Sequence, residues 1–320
     1  MLQAMMSAKV GDDVFGEDPT VNSFEQKMAA LFGKEGGLFV PSGTMSNQLC
    51  LRVLCTPGDE VIIDEKGHIF NYETGAAALL SAVQLRTLKG DKGKLTPELI
   101  KSAIRPKNDW DPFSRVIAIE NTTNKGGGAC YSRDELKAIR KIADEHGLFV
   151  HLDGARIWNA ITTTGIEASF YGEIADTISI CFSKGLGAPI GSMMLGSKDH
   201  IRLARRYRKM WGGGMRQVGL LAAAADYAVD NHLPLLKEDH IKAKKFAEAV
   251  SKSPRFEIDL SSVESNIVLF DVKNETVEEV LKGFSEKGIG MVPFGPKTIR
   301  ATFHFQVSDA ELEEVIRAIV

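Results

Sequence analysis

The sequence lacks the features that mark secreted, disulfide-stabilised and membrane proteins. Its few cysteines have neither metal-site nor disulfide-framework spacing, and they are Cys50, Cys55, Cys130 and Cys181. No apolar stretch is long enough to span a bilayer, and residues 1–6 lack the basic flank and apolar core of a signal peptide. We therefore expect a cytoplasmic protein with reduced thiols, no metal and no membrane partner.

Neither sign of charge is in large excess. The chain has 39 lysines and arginines against 42 aspartates and glutamates, a net charge of −3, which gives no reason to expect a nucleic-acid partner. Hydrophobic residues make up 44% and charged residues 25% of the 320 residues, as in globular enzymes. This length can hold two domains that share an interface.

Helical and strand patterns alternate over the first 230 residues. Strands are predicted at 38–40, 60–64 and 115–120, and helices at 21–33, from about 44, from 97 and from 133 to 147. Thr96 with Pro97, the Ser132–Glu135 capping box and Gly147 mark helix ends. This alternation predicts an α/β fold with a mostly parallel sheet sandwiched by helices.

The pattern changes after about residue 230. A break at 231–234 precedes a long charged helix, and strands are predicted at 266–270 and 298–303, with helices at 276–287 and after Ser308. We therefore predict a large domain over residues 1–230 and a smaller C-terminal α+β domain over residues 231–320.

Two charged residues follow two of the apolar runs. Asp153 closes the run that begins at Phe149, and Lys184 follows the run over residues 178–182. Ligands of α/β sheets bind beyond the carboxyl ends of the strands. A lysine and a carboxylate at that edge are the pair that pyridoxal 5'-phosphate (PLP) chemistry requires, because the amine forms an imine with the cofactor and the carboxylate keeps the ring nitrogen protonated.

A phosphate site is predicted where a strand leads into a helix. Ser42, Gly43 and Thr44 combine hydroxyl groups with a close backbone approach. Ser183 offers another hydroxyl beside Lys184. Taken alone, the turn equally fits an ordinary capped helix, and Ser183 a polar strand end.

Three consecutive glycines, Gly212 to Gly214, are flanked by cations. The loop could present Lys209 and Arg216 to a phosphate, or it could be a solvent-exposed loop with scattered charge. The spacing alone does not separate these interpretations.

Three further side chains are candidates for contacts with the ring and the substrate. The imidazole of His68 could stack on a cofactor ring and exchange protons, or it could be a surface residue at a helix start. Arg156 and Arg300 could bind a substrate carboxylate. Alternatively, Arg156 could form a salt bridge at a helix start, and Arg300 could be a charged residue on the face of a strand.

Together these motifs resemble the threonine aldolases, which are fold-type I PLP-dependent enzymes of the aspartate aminotransferase superfamily. The matching stretches are residues 10–20, 41–44, 120–122, 153–157, 183–192 and 212–217. The resemblance implies that Lys184 carries the imine, Asp153 contacts the ring nitrogen and His68 stacks on the ring. It further implies a phosphate site formed by Gly43, Thr44 and Ser183 with Lys209 and Arg216 of a neighbouring subunit, and a substrate carboxylate bound by Arg156 and Arg300.

The resemblance also implies the reaction, which is retro-aldol cleavage of L-threonine or L-allo-threonine to glycine and acetaldehyde in a homotetramer built from dimers. Within enzymes, the alternative is a lyase for other β-hydroxy amino acids such as phenylserine or serine. Two alternatives lie outside efficient enzymes. The chain could be a PLP-binding protein with weak turnover, or an α/β domain in which Lys184 is merely structural.

The sequence departs from the family pattern at two places. Thr123 stands where many members have histidine near the substrate hydroxyl, so His68, or a water held by it, is the predicted base and Thr123 is expected to affect the threonine to allo-threonine preference. Family members also have an Arg-Ser-Asp-Thr-like segment before the region that matches residues 1–10. Without it, we expect substrate affinity to suffer more than PLP binding.

Overall fold

A seven-stranded sheet forms the centre of the fold in the computed structural model, which describes residues 1–319. Its strands are β1 (Gly36–Val40), β2 (Glu60–Asp64), β3 (Gln84–Leu88), β4 (Ser114–Glu120), β5 (Phe149–Gly154), β6 (Thr177–Cys181) and β7 (Ser192–Gly196). Across the sheet the order is β1-β7-β6-β5-β4-β2-β3, and β7 runs antiparallel to the two strands beside it, while all other neighbouring strands are parallel. The predicted mostly parallel sheet is therefore confirmed.

Ten helices accompany this sheet. They are α1 (Leu2–Met6), α2 (Pro19–Leu31), α3 (Gly43–Leu54), α4 (His68–Asn71), α5 (Pro97–Ala103), α6 (Arg133–His146), α7 (Ile157–Thr164), α8 (Ala168–Ile174), α9 (Lys198–Met210) and α10 (Gly219–His232). The predicted ends at Thr96, Ser132 and Gly147 are confirmed. The predicted start of α2 at residue 21 is wrong, because the Asp18 side chain accepts hydrogen bonds from the N–H groups of Thr20 and Val21 and so starts the helix earlier.

The large sheet packs into an apolar core that leaves its carboxyl edge to polar groups. Strands β2 and β6 are buried along their whole length. The aromatic rings of Phe24 and Phe182 pack at 4.9 Å between centroids, and each fully buried aromatic side chain stabilises the fold by roughly 1.5–3 kcal/mol. In the register of the sheet, Glu120 of β4 lies beside Asp153 of β5. Two carboxyl groups therefore end adjacent strands at one edge.

A second, antiparallel sheet follows in the chain. It has the order β10-β11-β9-β8, with β8 (Phe256–Glu257), β9 (Ile267–Val272), β10 (Val292–Pro293) and β11 (Thr298–Thr302), and it is accompanied by α11 (Leu236–Lys252), α12 (Val277–Ser285) and α13 (Asp309–Ile319). These elements have an apolar cluster of their own around Phe246 and Phe270. The smaller α+β unit is thus confirmed, while the domain boundary at residue 230 stays a prediction. None of the helices within residues 1–319 is long and apolar enough to cross a membrane.

Candidate active site

Helix α3 joins the predicted phosphate turn to the strand ends that carry Lys184 and Asp153. Its first residue, Gly43, packs so close to the end of β6 that a Cβ atom there would lie 2.8 Å from the sulfur of Cys181. One turn further along α3, Nδ2 of Asn47 donates to Oδ2 of Asp153 at 2.8 Å. Since Lys184 lies three residues beyond Cys181, the last residue of β6, the turn, the lysine and the aspartate lie at one edge of the sheet.

The Asp153 carboxylate is buried and held on both oxygens. It is 2% exposed, and its Oδ1 atom accepts from the backbone N–H of Ala155 at 3.1 Å while Oδ2 accepts from Asn47. These bonds fix its orientation and compensate the loss of water around the charge. Asp153 can therefore hold a protonated nitrogen, whereas its contact with a pyridine ring stays a prediction.

His68 lies at the start of α4 and is tied to two carboxyl groups. Its Nδ1 atom is 3.0 Å from Oε1 of Glu73, and its backbone N–H donates to Oε2 of Glu120 at 2.8 Å. The hydrogen bond with Glu73 raises the pKa of His68, and burial and Lys184 oppose this effect. Single ligand atoms of His68, Glu73 and Asp153 lie within 4.8 Å of one another. A proton-exchanging imidazole is thus beside the predicted ring partner.

Glu120 organises the loop that follows β4. Besides the bond to His68, its Oε1 atom accepts from the backbone N–H of Asn124 at 2.7 Å. Burial, followed by the charge of Asp153, raises the pKa of Glu120 to about 7. The carboxyl group therefore fixes His68 and the loop at 121–124 to each other.

The two predicted carboxylate-binding arginines meet at one oxygen atom. Arg156 precedes α7, whereas Arg300 belongs to β11 of the second sheet, and their Nη1 atoms lie 3.3 and 2.8 Å from Oδ1 of Asn124. Burial, followed by the charge of Arg300, lowers the pKa of Arg156. Because the shared acceptor is a neutral amide oxygen, the two positive charges are not neutralised by it, and the space beside them suits an anion such as a carboxylate.

The predicted phosphate residues surround the start of α3 and the end of β6. Ser42 caps α3 by accepting from the backbone N–H of Met45 at 3.2 Å, and Ser183 is exposed. The remaining N–H groups of the first turn and the hydroxyl of Thr44 are available to an anion. The positions agree with the predicted phosphate site, but the roles of these residues stay predictions.

Lys209 and Arg216, the cations that flank the three glycines, do not reach the site of their own chain. Lys209 is exposed in the last turn of α9, and Arg216 forms an ion pair with Asp12 at 2.6 Å. The loop itself packs on α3, because Gly213 approaches the sulfur of Met45 closely. The predicted contribution of both cations to a neighbouring subunit stays a prediction.

Thr123 faces the protein backbone. Its side chain is buried, and Oγ1 donates to the carbonyl oxygen of Lys92 at 2.8 Å. The hydroxyl proton is therefore already used within the chain. A direct contact of this proton with the substrate hydroxyl would require that bond to break, so the expected effect on substrate preference stays a prediction.

Besides Glu120, several residues at this site were not predicted from the sequence to have a role there. They are Asn47, Glu73, Asn124 and His151. His151 lies on the same face of β5 as Asp153, because side chains alternate along a strand, so the two-residue spacing is a signal that could have identified it. The contacts of Asn47 with Asp153 and of Asn124 with Arg300 join residues far apart in the sequence, for which local patterns give no signal.

The chain is similar to known proteins over nearly its whole length. Residues 1–274 match the model of the beta-eliminating lyase family. A protein of Arabidopsis thaliana named probable low-specificity L-threonine aldolase 2 is 40% identical over 99% of this chain and 91% of its own length. The low specificity L-threonine aldolase of Escherichia coli K12 is 38% identical over 98% of this chain and 92% of its own length.

Solved structures share the fold. A putative L-allo-threonine aldolase from Listeria monocytogenes aligns with a TM-score of 0.83 at 24% identity, covering 100% of this chain and 92% of its own. A threonine aldolase from Leishmania major aligns with a TM-score of 0.84 at 22% identity, covering 100% and 93%. By sequence and fold, the chain belongs to the beta-eliminating lyase family and groups within it with the low-specificity L-threonine aldolases.

Proposed function

We propose that this chain is a PLP-dependent aldolase that cleaves L-threonine and L-allo-threonine to glycine and acetaldehyde. One observation carries the proposal, namely the convergence of Lys184, Asp153 and His68 at one sheet edge that also holds the arginine pair. The relatives named low-specificity L-threonine aldolase support the same substrate.

The residues present fit PLP. The start of α3 with Gly43 and Thr44, together with Ser183, would hold the phosphate, Asp153 would hold the protonated ring nitrogen and Lys184 would bind the aldehyde. The close approach of Gly43 to Cys181 supports this fit, because it brings the start of α3 against the end of β6, after which Ser183 and Lys184 follow. When bound, PLP supplies an electron sink for the bond that breaks.

The chain's own groups then bind the substrate and move one proton. Arg156 and Arg300 orient the substrate through its carboxylate, which fixes which bond at Cα is aligned for cleavage. Nε2 of His68 accepts the proton of the β-hydroxyl group, and the nearby carboxylates stabilise the imidazolium that results. The hydroxyl oxygen becomes the carbonyl oxygen of acetaldehyde as the Cα–Cβ bond breaks.

A substrate panel tests the proposal directly. The purified chain would be incubated with L-threonine, L-allo-threonine, L-serine and phenylserine, with and without added PLP, and aldehyde and glycine would be measured. We expect both threonine isomers to be cleaved only when PLP is bound. Absence of acetaldehyde from both isomers, with PLP bound by its visible absorption, would contradict the proposed reaction and favour a binding protein.

The assembly and location proposed for the chain are a cytoplasmic homotetramer built from dimers, acting in threonine catabolism and glycine formation. Exposed apolar side chains on α1, Leu2 and Met6, support self-association, and the exposed Lys209 could reach a neighbouring subunit. The free thiols of all four cysteines are compatible with a reducing compartment. Light scattering after gel filtration tests the tetramer, and a monomeric mass would contradict it.

A further inference from the structure

A buried network of hydrogen bonds determines which nitrogen of His68 carries a proton. Glu73 is 2% exposed, and its Oε1 atom lies 3.0 Å from Nδ1 of His68, while Oε2 accepts from Nε2 of Gln48 at 2.6 Å. An ionised carboxylate can only accept hydrogen bonds, so Nδ1 of His68 must be the donor. Nε2 is then the nitrogen that can take up a proton.

Asn47 connects this carboxylate to Asp153. One N–H of its side-chain amide donates to Oε1 of Glu73 and the other to Oδ2 of Asp153, both at 2.8 Å. Asn47 is 2% exposed, so both bonds lie away from water. A single amide group therefore links the partner of His68 to the predicted partner of the ring nitrogen.

The orientation of the Asn47 amide is itself fixed. Its Oδ1 atom lies 3.2 Å from Nε2 of His151, and Nδ1 of His151 lies 3.1 Å from Oγ1 of Thr177. Burial lowers the pKa of His151 to about 4, so this ring is neutral at physiological pH. The two carboxylates set the orientation of the amide, because they can only accept and therefore face its N–H groups, and its oxygen then accepts from Nε2–H of His151. An inverted amide would lose this bond and point its oxygen at two carboxylates.

Resting on the proposed threonine cleavage, we propose that Glu73 and Asn47 are positioning residues for the proton transfer. Glu73 holds the proton of His68 on Nδ1 and leaves Nε2 to accept the proton of the β-hydroxyl group. Asn47 ties Glu73 to Asp153. The hydroxyl proton moves to Nε2, the oxygen forms the aldehyde carbonyl, and the electrons of the Cα–Cβ bond remain on the Cα side.

The charges around His68 are consistent with this assignment. Glu73 and Asp153 stabilise the imidazolium, Glu120 adds a titratable carboxyl at the backbone N–H of His68, and Lys184 opposes the positive charge. The hydrogen bond with Glu73 is the largest of the causes that raise the pKa of His68. Removing the charge of Glu73 should therefore lower this pKa most.

The test compares Glu73→Gln with Glu65→Gln, an exposed control from the same stretch, in the full chain without added cofactor. The ring signals of the seven histidines would be followed by NMR, with the His68 signal identified by its loss in His68→Gln. We expect the midpoint of the His68 titration to fall by ~1 pH unit or more in Glu73→Gln and to stay unchanged in Glu65→Gln. An unchanged midpoint in Glu73→Gln would overturn the role of Glu73.

The PLP-loaded variants separate positioning from a merely structural role. In Glu73→Gln, kcat should fall by roughly 10²-fold or more while KM stays within a few-fold, because the proton acceptor is impaired and the arginines are intact. If Glu73→Gln does not fold, Glu73→Asp keeps the charge but shortens its reach, and should lower the His68 midpoint partway. Wild-type kcat and midpoint in Glu73→Asp would overturn the proposal.

A double-mutant cycle tests the bridge through Asn47. The unfolding midpoints of Asn47→Ala, Glu73→Gln and the double variant would be measured without cofactor. We expect the double variant to lose less than the sum of the single losses, whereas Asn47→Ala with Glu65→Gln should be additive. Additive losses for Asn47 and Glu73 would overturn the bridge. Neither the titration nor the cycle needs threonine cleavage, so a failure of the proposed function is distinguishable from a failure of this inference.

Discussion

Arg156 and Arg300 donate to the same atom, Oδ1 of Asn124, although Arg156 lies between β5 and α7 and Arg300 belongs to β11 of the second sheet. Each guanidinium thus points at a position where a carboxylate oxygen would satisfy both. We expect Asn124→Asp to place an internal carboxylate there, which would compete with the substrate. Because each charge-assisted bond is worth about 1.5–3 kcal/mol, KM for threonine should rise by ~10²-fold, and the unfolding free energy should increase.

Steady-state kinetics and denaturant unfolding would check this, with Asn274→Asp as the matched control, since Asn274 is exposed. An Asn124→Asp enzyme with the KM of the wild type would show that the substrate carboxylate binds elsewhere.

Lys184→Ala should abolish the borohydride-reducible link to PLP and nearly all cleavage. The reason is the position of Lys184 after β6, beside the start of α3. Lys198→Ala, which removes an exposed lysine of α9, should retain both. The measurement is the visible spectrum before and after reduction, and a persistent link in Lys184→Ala would assign the covalent bond to another lysine.

Asp153→Asn should leave PLP bound but reduce kcat by roughly 10²–10³-fold, the usual worth of a preorganised electrostatic partner. A neutral amide cannot hold the ring nitrogen protonated. Asp199→Asn is the control, because the Asp199 side chain is exposed in a surface ion pair. Turnover of Asp153→Asn within a few-fold of the wild type would exclude this role.

His68→Phe should preserve a flat ring but remove the proton acceptor, so that cleavage falls by roughly 10²–10⁴-fold while PLP still binds. Thr123→Ala should change the maximal rate much less, because its hydroxyl already donates to Lys92, and any effect should appear in the ratio of rates for L-threonine and L-allo-threonine. Near wild-type turnover of His68→Phe together with an inactive Thr123→Ala would reverse these assignments.

Asp239 on α11 should make the protein less stable as the pH rises. Its carboxylate is fully buried without a hydrogen-bond partner within residues 1–319, and burial raises its pKa to about 7. Since the folded state holds this proton more tightly than the unfolded chain, the stabilisation is full below about pH 4 and is lost as the pH rises to about 7.

Asp239→Asn should remove this dependence and stabilise the protein at pH 8 by roughly 1–3 kcal/mol. Denaturant unfolding at several pH values is the measurement, and Glu248→Gln, which changes an exposed carboxyl group on the same helix, is the control. Equal slopes against pH for Asp239→Asn and the wild type would show that Asp239 does not titrate in this range.

The features that the sequence predicted correctly depend on interactions between residues close together in the chain. Thr96, Ser132 and Gly147 act on their own helices, and the strand ends that carry Asp153 and Lys184 follow from short apolar runs. Strand β3 was not predicted because it is half exposed, and β7 was not predicted because it is rich in methionine rather than in β-branched residues.

The parts of the site that were missed depend on long-range contacts. Asn47 and Asp153 are 106 positions apart, and Asn124 and Arg300 are 176 apart. No periodicity connects such pairs, because only the folded topology brings them together. The roles of Lys184 and Asp153 follow from their places at strand ends and from the family resemblance, while the structure supplies the partners that orient Asp153 and His68.

The placement of the two arginines has a consequence for how the molecule unfolds. Arg156 follows β5 of the first sheet, whereas Arg300 belongs to β11 of the second, and each sheet has an apolar core of its own. An amino acid held by both would crosslink two cores through a single small anion. A ligand that binds only when both arginines are in place stabilises the folded state by mass action. A saturating concentration of a substrate analogue should therefore make the two cores melt in one cooperative transition. The corresponding amine without a carboxylate should leave their melting unchanged.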